Sequence, residues 1–263
     1  MHNKVDVLIL NRNLVSVTDN LVEGVMKYEN VALCGVIDSG SRQEEISAHT
    51  VVKANSIDAT EHGLRPNRGF NLGIDWWLNS DSTSDWLMLL PNDSEILNFD
   101  VESALQINNR IPNLAAIVPV SPNNHYSKNF GKNRFEIAWH FDEGPIIFSR
   151  YFLKSLVSKG TEIFDPSNFR GYLSFIELSM KIYASNRCMV ATDLVSFKEN
   201  KNHTIQQFEL IGTEAYSENI ELMLKEGKVW LQKKYGFADR KSLELISRLL
   251  FEEFLKVNEA KIK

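Results

Sequence analysis

Residues 65–95, RPNRGFNLGIDWWLNSDSTSDWLMLLPNDSE, decide the fold. They pass from a polar Asn/Gly turn through an amphipathic segment to WLMLL at 86–90, the continuous apolar run that a strand covered on both faces requires. The chain then turns at Pro91-Asn92, so that Asp93 and Glu95 are expected where the strand leaves the sheet. Ligands of open α/β sheets bind outside the carboxyl ends of the strands. An acidic pair of hard oxygen donors there suits Mg²⁺ or Mn²⁺ holding a phosphate. Taken alone, the same residues are also the chemistry of a solvated turn or a helix cap.

The N-terminal segment supplies two more strand ends. Residues 5–10, VDVLIL, form a short apolar strand ending in Asn11-Arg12-Asn13, and a helical pattern follows through Leu14, Val17, Leu21, Val25 and Met26. Strand then helix opens a βαβ unit. A second strand at 31–37 ends in Asp38-Ser39-Gly40-Ser41. Polar residues thus recur at three strand ends, and solubility alone does not account for that repetition.

In chain order, VLILNRN, VIDSGS, NRGFNLGI, LLPNDSE, GPIIFSR and FDPSNFRGYLSFIELSMKI resemble the motifs of the family 2 glycosyltransferases of the GT-A fold, in particular their rhamnosyltransferase-like branch. The resemblance spans residues 4–205. It implies an α/β chain with a Rossmann-like mixed sheet and flanking helices, a nucleoside-diphosphate-sugar donor, Mn²⁺ or Mg²⁺, and a glycan or other hydroxyl acceptor. It also implies a single displacement with inversion, acting on a bacterial-type surface glycan. Donor contacts are implied for Asn11, Asn13, Asp38, Arg65, Asn71 and Asn92, with Asp38 meeting the base or ribose. Metal ligands are implied at Asp93 and Glu95, and at His203, which follows a strand at 189–197. An imidazole nitrogen is a competent Mn²⁺ ligand beside carboxylates, although a histidine in that place is also an ordinary exposed side chain.

The sequence departs from the family at the acidic pair that precedes a helix and supplies the catalytic base. Ser174 and Phe175 stand there, and neither is a carboxylate. Glu177 is the candidate base, with Asp142 and Asp165 in reserve. Gly144 is expected to let backbone approach the donor sugar.

With 263 residues, 43% of them hydrophobic, the chain can bury one substantial core. The expected division is a GT-A domain at 1–205 and a helical extension at 206–263, with helices at 218–235 and 240–256 separated by Gly236. The last helix mixes Glu244, Glu252 and Glu253 with Arg248 and Lys256, without the cationic excess that anionic lipids select. Packing on the catalytic domain or on a second subunit is the expectation, with peripheral contact at the inner membrane face left open. No apolar run approaches the ~18 residues of a spanning helix, and the first residues do not read as a signal peptide. Cys34 and Cys188 lie on apolar segments without C-x-x-C spacing, as buried thiols of a cytoplasmic protein do.

A net charge of −5 argues against a surface that tracks nucleic-acid phosphates. Arg65, Arg68, Lys128, Lys132 and Arg134 either flank a diphosphate or an anionic acceptor, or are scattered surface charges. The aperiodic stretch 121–143, with Asn123, Asn124, His125, Tyr126, Trp139 and His140, either stacks on an acceptor sugar or covers a satellite core. Two other functions compete. A nucleotidyltransferase would use similar acidic strand ends, but NRN is no Gly-rich, Lys-containing phosphate loop. A homologue that binds nucleotide sugar or glycan without transfer fits the missing acidic pair.

Overall fold

A computed structural model of the chain describes residues 4–111, 113–122, 130–141, 144–203, 205–206 and 215–262. The expectations for Asn123, Asn124, His125, Tyr126, Lys128 and Asp142 fall outside these residues. The first half runs β1 (Val5–Asn11), α1 (Val15–Val25), β2 (Val31–Asp38), β3 (Thr50–Lys53), α2 (Ile57–His62), α3 (Arg65–Asn79), β4 (Trp86–Pro91), β5 (Ser94–Phe99) and α4 (Val101–Gln106). The second runs β6 (Leu114–Val120), β7 (Phe135–Ile137), β8 (Ile146–Ser149), α5 (Arg150–Val157), α6 (Ser174–Ala184), β9 (Cys188–Glu199), α7 (Tyr216–Tyr235) and α8 (Arg240–Ile262).

The strands form one mixed sheet in the order β3-β2-β1-β4-β8-β6-β9-β5, with β7 also paired to β9. β3, β2, β1 and β4 are mutually parallel, which points all four carboxyl ends the same way. β8 runs antiparallel to both β4 and β6. β9 lies parallel to β6, and on its other side pairs antiparallel with β7 and then β5. The runs VDVLIL and WLMLL are buried on both faces because they occupy the middle of this sheet. Each such side chain contributes ~1.5–3 kcal/mol on burial.

α3 packs against β1 and β2 through two glycines four residues apart. A Cβ on Gly69 would stand 2.5 Å from Leu10, and one on Gly73 would stand 2.2 Å from Ile37. At the far end of the same helix the Trp77 indole donates to Asp6 of β1 at 2.7 Å. A chain of aromatic contacts continues the core, Phe70 to Phe164 at 5.9 Å, Phe164 to Phe175 at 5.8 Å and Phe175 to Phe141 at 4.8 Å.

The C-terminal helices dock on α6. Ile176, Trp230, Leu231 and Leu243 make a small apolar cluster, and Phe251 and Phe254 of α8 meet Tyr183 at 5.4 and 5.5 Å. α7 stops at Gly236, which takes the left-handed φ of 73° and donates to the Gln232 carbonyl. No helix among the described residues is long and apolar enough to cross a membrane. Cys34 and Cys188 form no disulfide, and burial pushes both thiols up to about 12.

Two segments differ from expectation. The residues after Asp93 form strand β5 rather than an exit turn, because β9 offers them an antiparallel edge. Within 121–143, residues 135–137 form β7 on the same strand.

Candidate functional site

The carboxyl ends of β1, β2 and β4 open into a cleft of about 320 Å³. β1 and the turn after it supply Leu10 and Arg12, the β2 end supplies Ser39, and β4 with its turn supplies Pro91, Asn92, Asp93 and Ser94. Glu199 enters from the end of β9, Gly144 from the approach to β8, and Arg65, Asn67 and Phe70 from the start of α3. The remaining wall comes from Arg170, Gly171 and Phe175, and from Tyr216, Asn219, Ile220 and Met223 of α7. A wider groove of about 870 Å³ lies at the opposite ends of the parallel strands, beside Lys4, Asp85 and Trp86. The strand-end rule favours the smaller cleft.

Beneath it the β1 end is held by a polar hub. Asn11 is fully buried, and its Oδ1 accepts from Thr18 Oγ1 at 2.8 Å and from the Leu14 amide and Asn92 Nδ2, both at 3.3 Å. Its Nδ2 donates to Ser41 and to the Glu45 carbonyl. Asn13 takes a left-handed φ of 56°, which its short amide tolerates, and accepts from the Arg42 amide at 2.8 Å. Asn71 exchanges hydrogen bonds with the Phe164 backbone at 2.7 and 3.1 Å. Their amides are thus committed to holding loops in place. Of the donor-binding residues expected from sequence, Arg65 and Asn92 line the cleft, while Asn11, Asn13 and Asn71 support it from behind.

Asp38 borders this hub at the end of β2. Its Oδ1 accepts from the amides of Gly40 and Ser41 at 3.1 and 3.0 Å, which shapes the turn. Its Oδ2 is buried and has no hydrogen-bond partner among the described residues. An unsatisfied buried acceptor costs ~1–3 kcal/mol, so the arrangement suits a carboxylate that receives a donor group from outside the fold.

The expected metal ligands separate. Asp93 lines the cleft, whereas Glu95 lies on the outer side of β5, half exposed and paired with Lys198 at 3.1 Å. Successive strand residues point to opposite faces, so Ser94 takes the inward place that the sequence suggested for Glu95. His203 sits one turn beyond β9, with its backbone amide on the Asn200 carbonyl, and is not among the cleft-lining residues. In their place comes Glu199, which pairs with Ser94 across the β5–β9 ladder and precedes Asn200, whose amide donates to the Asp93 carbonyl at 2.7 Å. Among the described residues no three of His, Cys, Asp or Glu converge as a metal group. A nucleotide-bound Mg²⁺ or Mn²⁺ commonly needs only one or two carboxylates besides the phosphates, and Asp93 with Glu199 fits that donor set.

Three arginines line the same cleft. Arg12 is buried and donates from Nη2 to the Glu61 carbonyl at 3.2 Å. Arg65 takes a left-handed φ of 58° at the start of α3, and its Nη1 lies 3.5 Å from Asn219 Oδ1. Arg170 donates to the same oxygen at 2.6 Å and pairs with Glu226 at 3.1 Å. Arg12 and Arg170 were missed as site residues, although both stand inside motifs singled out in the sequence, NRN and FRG. From the expected basic patch, Arg68 is turned to the Pro166 carbonyl and Arg134 to Asp193 at 2.6 Å, while Lys132 lies in an exposed turn. Trp139 packs beside His140 and under Arg248 of α8, as a satellite core does, and neither aromatic lines the cleft.

Gly144 adopts φ 152°, and a Cβ there would stand 2.3 Å from the Phe197 ring, so only glycine lets both line the cleft. Glu177 is not brought to it. That side chain is buried against the C-terminal helices, where Oε1 accepts from Lys234 at 2.5 Å and from the Tyr235 hydroxyl at 2.7 Å, and Lys181 lies 3.5 Å from Oε2. Asp165 joins the cluster, accepting from Lys234 at 2.5 Å and from the Trp230 indole at 2.9 Å. Burial opposes its ionisation, but the hydrogen bonds from Lys234, Ser167 and Trp230 outweigh burial and hold its carboxyl well below the usual range. Burial likewise disfavours the Lys234 charge, and Asp165 with Glu177 reverses that and raises it. Phe175 lines the cleft.

No family model matches the chain, and no curated protein matches it in sequence. Solved structures do match in three dimensions. GalNAc-T7 with UDP, GalNAc and Mn²⁺ superposes with a TM-score of 0.59 at 12% identity, over 98% of this chain. The mannosyltransferase PcManGT from Pyrobaculum calidifontis, in complex with GDP-Man and Mn²⁺, gives 0.50 at 11% identity, also over 98% of this chain. The chain has the GT-A fold. It spans 58% of the GalNAc-T7 chain and 75% of the mannosyltransferase. In this GT-A chain the candidate cleft is the one at the carboxyl ends of the parallel strands.

Proposed function

We propose that the chain is a metal-dependent glycosyltransferase of the family 2 type, which moves a sugar from a nucleoside diphosphate to a hydroxyl of a bacterial-type glycan. The observation that carries this is that two carboxylates and three arginines line one cleft, beside the turn shaped by Asp38. Asp38 would receive the ribose or base, and Asp93 and Glu199 would hold the divalent ion. Arg12, Arg65 and Arg170 would offset the negative charge that develops on the departing diphosphate. The ion, when bound, would supply Lewis-acid stabilisation of that diphosphate. The walls would hold donor and acceptor so that the hydroxyl meets the anomeric carbon. The solved neighbours, crystallised with UDP or GDP-Man and with Mn²⁺, support a diphosphate-linked donor.

Thermal shift and calorimetry against UDP- and GDP-sugars with Mn²⁺ test this reading, since a ligand of the folded state raises apparent stability. Asp93→Asn should abolish the metal-dependent part of donor binding and turnover while the fold survives. Unchanged metal dependence in that variant would overturn the assignment. A second reading, donor binding without transfer, is favoured by Phe175 in the cleft where an acid would act as base. Donor hydrolysis and transfer assays separate the two, because a binder would show the thermal shift and no product.

A further inference from the structure

We propose that Thr18 is a positioning residue of the cleft, which with Asn11 turns the Asn92 amide so that it offers a ligand hydroxyl an oxygen and no N–H. This deepens the transferase reading and rests on it for the identity of the ligand. The orientation follows from two backbone groups of fixed polarity. The Leu14 amide can only donate, and the Glu45 carbonyl can only accept. Both lie 3.3 Å from the Asn11 side chain, so its oxygen is turned to Leu14 and its nitrogen to Glu45. The Thr18 hydroxyl spends its one proton on that oxygen at 2.8 Å and keeps only lone pairs to offer. A group that meets Asn11 Oδ1 and Thr18 Oγ1 from the turn after β4 must therefore donate to both. Asn92 Nδ2 does so, at 3.3 and 3.2 Å.

Asn11 and Thr18 are fully buried and do not line the cleft, whereas Asn92 does. With its nitrogen drawn back into the hub, Asn92 meets the cleft through Oδ1. An amide oxygen accepts from a hydroxyl and cannot donate to a phosphate. The ligand group that fits it is a hydroxyl, of the nucleoside ribose or of the transferred sugar, and the experiment distinguishes the two. Thr18 decides the matter because it lies between the two amides. Thr18→Val keeps the shape of the side chain, removes one of the two acceptors of Asn92 Nδ2, and leaves that amide free to turn over.

The test is calorimetry with UDP, GDP, UDP-glucose, GDP-mannose and inorganic pyrophosphate, each with Mn²⁺. Thr18→Val should bind the nucleotides about two- to tenfold more weakly, the worth of one neutral hydrogen bond, and pyrophosphate as the wild type does. Thr18→Ser loses the methyl group and keeps the hydroxyl, so it should bind the nucleotides like the wild type. A role in packing alone would give the reverse order, with Thr18→Val harmless and Thr18→Ser impaired, and that result would overturn the proposal. Asn92→Ala removes the oxygen itself and leaves Thr18 bonded to Asn11. It should repeat the pattern of Thr18→Val, and it keeps the proposal open to refutation if Thr18→Val does not fold. Weakening with UDP and GDP alone places the hydroxyl on the ribose, and weakening confined to the sugar nucleotides places it on the sugar. Wild-type nucleotide affinity in Asn92→Ala would overturn the proposal and leave the transferase reading intact. An equal loss for pyrophosphate would overturn it too, since the oxygen would then serve the ion or the general shape of the cleft. Wild-type protein that binds pyrophosphate but no nucleotide would remove the nucleotide-sugar reading and the proposal with it.

Discussion

Asp6 and Asp38 stand on neighbouring parallel strands, each 1% exposed, at opposite ends of the same sheet. Asp6 has both oxygens in use. Oδ2 accepts from the Trp77 indole at 2.7 Å and from the Ser82 hydroxyl, Oδ1 accepts from Ser84 at 2.9 Å, and the charge of Arg150 lies nearby. Asp38 uses one oxygen on its own turn and leaves the other buried without a partner. Burial alone therefore does not tell a structural acid from a binding one. What surrounds each oxygen is the better guide, because a buried acceptor without a hydrogen-bond partner is costly unless a nearby cation or an incoming donor offsets it.

The largest expected effect is on the structural side. Asp6→Ala strands the Trp77, Ser82 and Ser84 donors and removes the counter-charge of Arg150, and should cost ~3–5 kcal/mol in denaturant melts. A cost below ~1 kcal/mol would erase the distinction from that end. Asp38→Ala should weaken nucleoside-diphosphate binding by ~1.5–3 kcal/mol, with or without metal, while stability changes by less than ~1 kcal/mol. If Asp38→Ala instead unfolds the protein as Asp6→Ala does, the two acids are alike and the empty oxygen means nothing.

Glu177 sharpens the comparison, since it is as buried as Asp38 and its Oε2 likewise has no hydrogen-bond partner among the described residues, but Lys181 stands 3.5 Å from that oxygen and Lys234 and Tyr235 occupy Oε1, away from the cleft. Glu177→Gln should lower stability by ~1–2 kcal/mol through weakened pairing with Lys234, with turnover of the folded protein little changed. A fall in turnover of ~10²–10⁴-fold at unchanged stability would return Glu177 to the role of general base.

The smallest effect is in pH. Asp165 titrates below its ordinary 3.8, so its contribution to stability is present above that value and is lost as pH falls through the lower, folded one. Lys234 titrates above its ordinary 10.5, so its contribution is present below that value and is lost as pH rises beyond it. Melting temperatures of Asp165→Asn should therefore converge on those of the wild type in acid and diverge toward neutral pH. Parallel curves would show that the cluster does not carry the acid limb.

Much of the fold was legible in the sequence because its strands are continuous apolar runs and its last helices keep a 3.6-residue period, with α7 ending at Tyr235 as expected and α8 running six residues beyond the expected end at 256. The missed strands are β3, β5 and β7, whose existence depends on an edge that another strand provides. Of the expected site residues, Arg65, Asn92 and Asp93 line the cleft, at or beside strand and helix ends, and Asp38 precedes the cleft-lining Ser39. Glu95 falls outside the cleft because residues 94–99 form a strand, whose alternation sends Ser94 inward and Glu95 outward. Glu199, Arg12 and Arg170 carried no periodic signal. Their place in the cleft comes from the pairing of β5 with β9 and from the folding of the 164–173 segment over α3, and neither can be counted off along the chain.

One wall of the cleft comes from α7, with Tyr216, Asn219, Ile220 and Met223. During synthesis the strands that carry Asp38 and Asp93 emerge well before that helix, and domains generally fold as units. A chain released before residue 223 would lack that wall of the cleft.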